Sequence, residues 1–99
     1  MEIQTGADAG TILIVEDDKE IRQGIEIFLK GQGYRVFQAA DGIEGLKIIE
    51  EQDISLAIVD VMMPRMDGIT MVIKLREKYD FPVSFLTAKS GGGGQDYGA

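Results

Sequence analysis

Neither cysteine nor histidine occurs anywhere in the sequence. The first absence excludes disulfides and thiolate metal sites; the second removes the commonest metal ligand and the side chain best suited to proton transfer near neutral pH. Whatever chemistry the chain performs runs on carboxylates, hydroxyls and lysines. Basic residues are also scarce: ten Lys and Arg against seventeen Asp and Glu give a formal charge of −7, which repels phosphate backbones and anionic membrane surfaces. No nucleic acid is expected to bind this chain alone. Long apolar runs are missing, and the opening MEIQTGADAG has neither the basic end nor the apolar core of a signal peptide, so no membrane association and a cytoplasmic location are expected. What is present, 99 residues at 44% hydrophobic content, suits one small globular domain.

The apolar pattern changes period along the chain. TILIV, residues 11–15, is a β-branched run that fits a strand buried on both faces, and it ends in Glu16, Asp17 and Asp18. Asp18 reads as the N-cap of a helix carrying Ile21, Ile25, Phe28 and Leu29 at i, i+4, i+7 and i+8, which Gly31 and Gly33 stop. YRVFQA, residues 34–39, alternates like a more exposed strand. Asp41-Gly42 opens a second helix with Ile43, Leu46 and Ile49 on one side, its acidic end at Glu50, Glu51 and Asp53 facing solvent. ISLAIV, residues 54–59, is the next buried strand. A third helix follows Asp67-Gly68 with Ile69, Val72, Ile73 and Leu75 apolar, and after Pro82 comes a fourth strand, VSFLTA, residues 83–88. The glycine run from Gly91 lacks side chains to pack and reads as a flexible tail over 91–99, after a short extension at 1–10 and a folded unit over 11–90.

Strands alternating with helices of this length pair in parallel through right-handed crossovers. The two most apolar strands belong in the centre, which predicts an α/β, doubly wound sheet of order 2-1-3-4. Its winding reverses between strands 1 and 3, and ligands bind beyond the carboxyl ends of strands at such a point. Glu16, Asp17 and Asp60 stand there, far apart in sequence. Three carboxylates that close repel one another, each pair by roughly 4 kcal/mol at 4 Å if the effective dielectric is about 20. Protonation, a lysine or a hard divalent cation can offset this, and an all-oxygen, histidine-free donor set suits Mg²⁺ best. Beside such a cation Asp60 can attack a phosphoryl group to form an aspartyl phosphate. The hydroxyl of Thr87, at the end of the neighbouring strand, is placed to hydrogen-bond a phosphoryl oxygen there. Met62, Met63 and Met66 read as packing residues, and Pro64 and Gly68 as residues that shape the loop after Asp60.

The segments ILIVEDDKEIR, AIVDVMMPRMDG and FLTAKS, in this order and spacing, resemble the receiver domain of bacterial two-component response regulators of the transcription-factor type, over residues 11–90. The resemblance implies a flavodoxin-like fold, Asp60 as phosphoacceptor, Glu16 and Asp17 as the acidic pair for Mg²⁺, the backbone carbonyl of Met62 as a further metal ligand and Thr87 as the switch hydroxyl. It implies a sensor histidine kinase as partner and a switch rather than a turnover enzyme. The family pattern continues with a fourth helix, a fifth strand ending in a lysine before proline, and a fifth helix. The sequence reads as truncated after the fourth strand, with Lys89 as a candidate substitute for that lysine. Phosphorylation is then expected to be impaired, and copies are expected to associate through the fourth-strand edge. Two rival readings stand beside this one. A non-signalling structural fragment or engineered form of a receiver shares the fold. A haloacid-dehalogenase-like phosphatase also uses a strand-end aspartate, but needs a second aspartate where this chain has Met62.

Overall fold

A computed structural model describes residues 9–63 and 65–86. The elements run β1 (Thr11–Val15), α1 (Lys19–Gly31), β2 (Arg35–Ala39), α2 (Gly42–Glu51), β3 (Leu56–Asp60), α3 (Gly68–Leu75) and β4 (Val83–Leu86). The strands form one sheet in the order β2-β1-β3-β4, and every neighbouring pair is parallel. Each connection must therefore return across the sheet through a helix, which is the doubly wound α/β arrangement. Among the described residues no helix is long and apolar enough to cross a membrane.

Local chemistry fixes the helix ends. Asp18 caps α1 by accepting from the N–H groups of Glu20 and Ile21, Asp41 caps α2 through Glu44 N–H, and Asp67 caps α3 through Thr70 N–H. At the far end of α1 the N–H of Gly33 donates to the Lys30 carbonyl and that of Tyr34 to the Leu29 carbonyl. This closure needs the left-handed backbone that Gly33 adopts at φ 98°. Glycine is required there because a Cβ would meet the preceding backbone.

The core lies between the sheet and the α2–α3 pair. Leu13 and Val15 of β1 and Ala57 and Val59 of β3 share one face by the two-residue period of strands, and they pack with Ile49 of α2 and with Met71 and Leu75 of α3. Cutting Leu75 back to alanine would cost about 2–5 kcal/mol, since it is enclosed on all sides. Ile12 and Ile14 are buried toward the opposite face, where α1 lies against β1 and β2.

Several sequence-based expectations shift. The third strand begins at Leu56, two residues later than expected, and includes Asp60 as its last residue. Ile54 is buried ahead of it. In α2 the inward positions are Gly42, Gly45 and Ile49, whereas Ile43 is exposed. The absence of side chains lets α2 approach closely: a Cβ on Gly45 would stand 2.9 Å from Met71 Cε and 3.0 Å from Val15 Cγ2. In α3, Met71 and Leu75 face the core while Ile69 and Ile73 are exposed. No residue of α1 is fully buried, and Phe28 is largely exposed. The fourth strand is described only as far as Leu86.

Candidate functional site

The parallel register aligns the carboxyl ends of the two central strands, with Val15 opposite Val59. The next residue of each chain segment therefore emerges at the same edge. Ligand oxygens of Glu16, Asp17 and Asp60 all lie within 4.8 Å of one another. Glu16 is 1% exposed and Asp60 2%, while Asp17 faces solvent. Two nearly enclosed carboxylates beside a third at this separation are costly without positive charge, because burial removes the water that would screen them.

Hydrogen bonds orient the cluster. Glu16 Oε2 accepts from Asp18 N–H at 2.9 Å, and Asp60 Oδ1 accepts from Met62 N–H at 3.1 Å. Arg22, on the first turns of α1, donates through Nη1 to the backbone carbonyl of Glu16 at 2.8 Å and through Nε to Gln38 Oε1 at 2.9 Å. Arg22 lies inside the segment ILIVEDDKEIR, where the sequence assigns it no role. The only signal was its position four residues after the Asp18 cap, and its acceptor is a main-chain atom that no side-chain pattern reveals.

The β3–α3 loop is drawn tight. Val61 N–H donates to the Leu86 carbonyl at 3.3 Å, and Gly68 N–H donates back to the Val61 carbonyl at 3.1 Å. Gly68 lies so close to the end of β3 that a Cβ there would stand 2.3 Å from the Asp60 carbonyl oxygen. Met63 and Met66 pack against the core, whereas the Met62 side chain is exposed. An open groove of about 640 Å³ runs beside the loop, lined by Val61, Met62, Met63, Asp67, Ile69 and Thr70. On its rim the Thr70 backbone N–H holds the Asp67 carboxyl below its ordinary range.

Glu16, Asp17, Asp60 and the Met62 main chain are thus brought together. Thr87, expected at the end of the fourth strand, and Lys89, expected just past it, lie outside the described residues, as do Pro64 and the tail over 91–99. The donors present fit a hard cation: they are oxygens only, and they converge within 4.8 Å of one another.

The family model for the response regulator receiver domain matches residues 12–92. The regulatory protein VanR of Enterococcus faecium is 41% identical over 78 residues, which is 79% of this chain and 34% of that protein. The chain thus spans about a third of the length of the curated relatives it matches. Among solved structures, the response regulator protein TrrA of Thermotoga maritima in complex with Mg(2+)-BeF superposes with a TM-score of 0.77 at 32% identity, covering 83% of this chain and 72% of that one. The receiver domain of the hybrid histidine kinase CckA gives a TM-score of 0.75 at 42% identity, covering 84% and 80%. With motif order, strand order and acidic edge in agreement, the chain belongs to the response regulator receiver domain family of two-component signalling.

Proposed function

We propose that this chain is a phosphoacceptor module in which Asp60 takes a phosphoryl group from a sensor histidine kinase in a Mg²⁺-dependent reaction. The observation that carries the reading is the convergence of Glu16, Asp17 and Asp60 at the carboxyl ends of the two central strands. Mg²⁺, when bound, offsets the repulsion among the carboxylates and the charge on the transferring oxygens. Glu16, Asp17, Asp60 and the backbone carbonyl of Met62 would hold it, and the neighbour TrrA was solved with Mg(2+)-BeF.

The chain's own residues supply the rest. The Met62 N–H fixes the rotation of the Asp60 carboxylate, so that the carboxylate oxygen meets phosphorus in line as the bond to the donor's nitrogen breaks and that nitrogen keeps the electron pair. Enclosure of Asp60 limits the water that hydrolyses the resulting mixed anhydride. Thr87 donates its hydroxyl to a phosphoryl oxygen and so couples modification to the position of its loop. The residue two after Asp60 is Met62, which lacks the second carboxylate that phosphatase chemistry of the haloacid-dehalogenase type needs. The module acts as a cytoplasmic switch that does not bind nucleic acid alone, and copies associate through the exposed β4 edge.

Incubation with acetyl phosphate and Mg²⁺, read by intact mass, tests the reading. One added phosphoryl group, absent in Asp60→Asn and absent with chelator, is the expected result. No mass gain at any donor concentration would overturn the proposal and favour a non-signalling fragment.

A further inference from the structure

Two consecutive residues at the tip of the β3–α3 loop rest on two consecutive residues at the start of α2. The guanidinium of Arg65 pairs with Asp41 Oδ2. Next to it, Met66 covers Gly42 so closely that a Cβ on Gly42 would stand 3.0 Å from Met66 Cγ and 3.1 Å from its carbonyl oxygen. The Asp41 side chain is 8% exposed while that of Arg65 is 64% exposed, so the pair joins a buried carboxylate to an arginine reaching in from solvent. The other oxygen of Asp41 is taken by the α2 cap, accepting from Glu44 N–H at 2.9 Å. A buried carboxylate that has lost water needs such partners.

The backbone of Arg65 points the same way. At φ 68° it is the one non-glycine residue with positive φ among the described residues. That region favours glycine and asparagine over a residue with a long side chain. The loop is closed into a ring by Gly68 N–H to the Val61 carbonyl. Met62, whose N–H orients Asp60, and Arg65 are both part of that ring.

We propose that Arg65 is a positioning residue that latches the β3–α3 loop onto Asp41 at the start of α2 and thereby holds the Met62 main chain in register with Asp60. The inference rests on the reading of Asp60 as a Mg²⁺-dependent acceptor. It also makes the start of α2 a place from which the acceptor loop is controlled.

Two substitutions isolate the latch. Arg65→Gly suits the left-handed backbone and removes the guanidinium. Asp41→Asn keeps the cap oxygen for Glu44 and removes the charge. In metal-free protein, amide hydrogen exchange at Gly68 should quicken about tenfold in each variant while that of Ile14 in β1 stays as it was. Unchanged exchange at Gly68 would overturn the latch. In Mg²⁺ titrations each variant should bind roughly three- to tenfold more weakly, and the double variant no more weakly than either single one, because both remove the same contact. A purely electrostatic role predicts the opposite sign for Arg65→Gly: loss of a cation would tighten Mg²⁺ binding, and that result would also overturn the proposal. If the parent shows no response to Mg²⁺, the reading of the Asp60 site falls, and the exchange measurement still decides the latch by itself.

Discussion

Gly68→Ala places one methyl group where α3 meets the end of β3, and its cost follows from the geometry. The new Cβ would stand 2.3 Å from the Asp60 carbonyl oxygen and 2.8 Å from Val59 Cγ1. Ordinary carbon–oxygen contact begins near 3.4 Å, so roughly 1 Å must be found. The obstructing oxygen is backbone in a paired strand, where Asp60 aligns with Leu86 of β4, and it cannot swing aside as a side-chain end can. Overpacking costs about 1–3 kcal/mol, and a backbone oxygen that cannot move aside puts this case in the upper half of that range, about 2–3 kcal/mol. Alanine's helix propensity returns at most about 1 kcal/mol, leaving a net loss of roughly 1–2 kcal/mol. For a domain of this size that lowers Tm by about 5–15 °C. Gly24→Ala is the matched control. Gly24 sits in α1 with nothing within 4 Å of its would-be Cβ, so propensity acts alone and Tm should rise by a few degrees, corresponding to about 0.5–1 kcal/mol. Thermal melts followed by circular dichroism, with coincident transitions at two wavelengths, would measure both. A Gly68→Ala protein melting at or above the parent would refute the claim that close approach of α3 shapes the β3–α3 loop.

Asp60→Asn keeps an oxygen for Met62 N–H and removes one charge from the acidic edge. It should raise metal-free stability by roughly 1–2 kcal/mol after solvent screening. In the parent, Mg²⁺ at tenfold its Kd should add about 1.4 kcal/mol, and most of that gain should vanish in the variant; melts with and without Mg²⁺ check both. Asp67 has its carboxyl held below the ordinary range by the Thr70 N–H, so its ionised form adds stability above the unfolded-state pKa that is lost as pH falls through the folded one. Against Asp67→Asn, which still caps α3 but does not titrate, the parent's advantage in Tm at neutral pH should close as the solution is acidified below the normal aspartate range; an advantage constant with pH would refute this. Phe85 on the edge strand β4 is 43% exposed, and Phe85→Lys should shift sedimentation toward monomer if copies associate there. A parent that stays monomeric across a wide concentration range would remove that idea.

The order of the seven elements was legible in the sequence because its causes are local. The apolar period changes between strand and helix, and Asp18, Asp41 and Asp67 each precede a helix they cap through their own side chains. Topology rules then place Glu16, Asp17 and Asp60 at one sheet edge, since parallel pairing of two buried strands leaves little choice of where their carboxyl ends meet. Other features follow only from the tertiary structure. Periodicity marks a helix as amphipathic but does not say which side chains touch the sheet. Gly45 and Met71 turned inward, with Ile43, Ile69 and Ile73 outward, because the closest approach between α2 and its neighbours occurs where side chains are smallest. Arg22 meets the carbonyl of Glu16, and Arg65 meets Asp41 across 24 positions of sequence. Such partners are set by where backbone and loop arrive in space, and the identity of an arginine carries no record of the oxygen it will find.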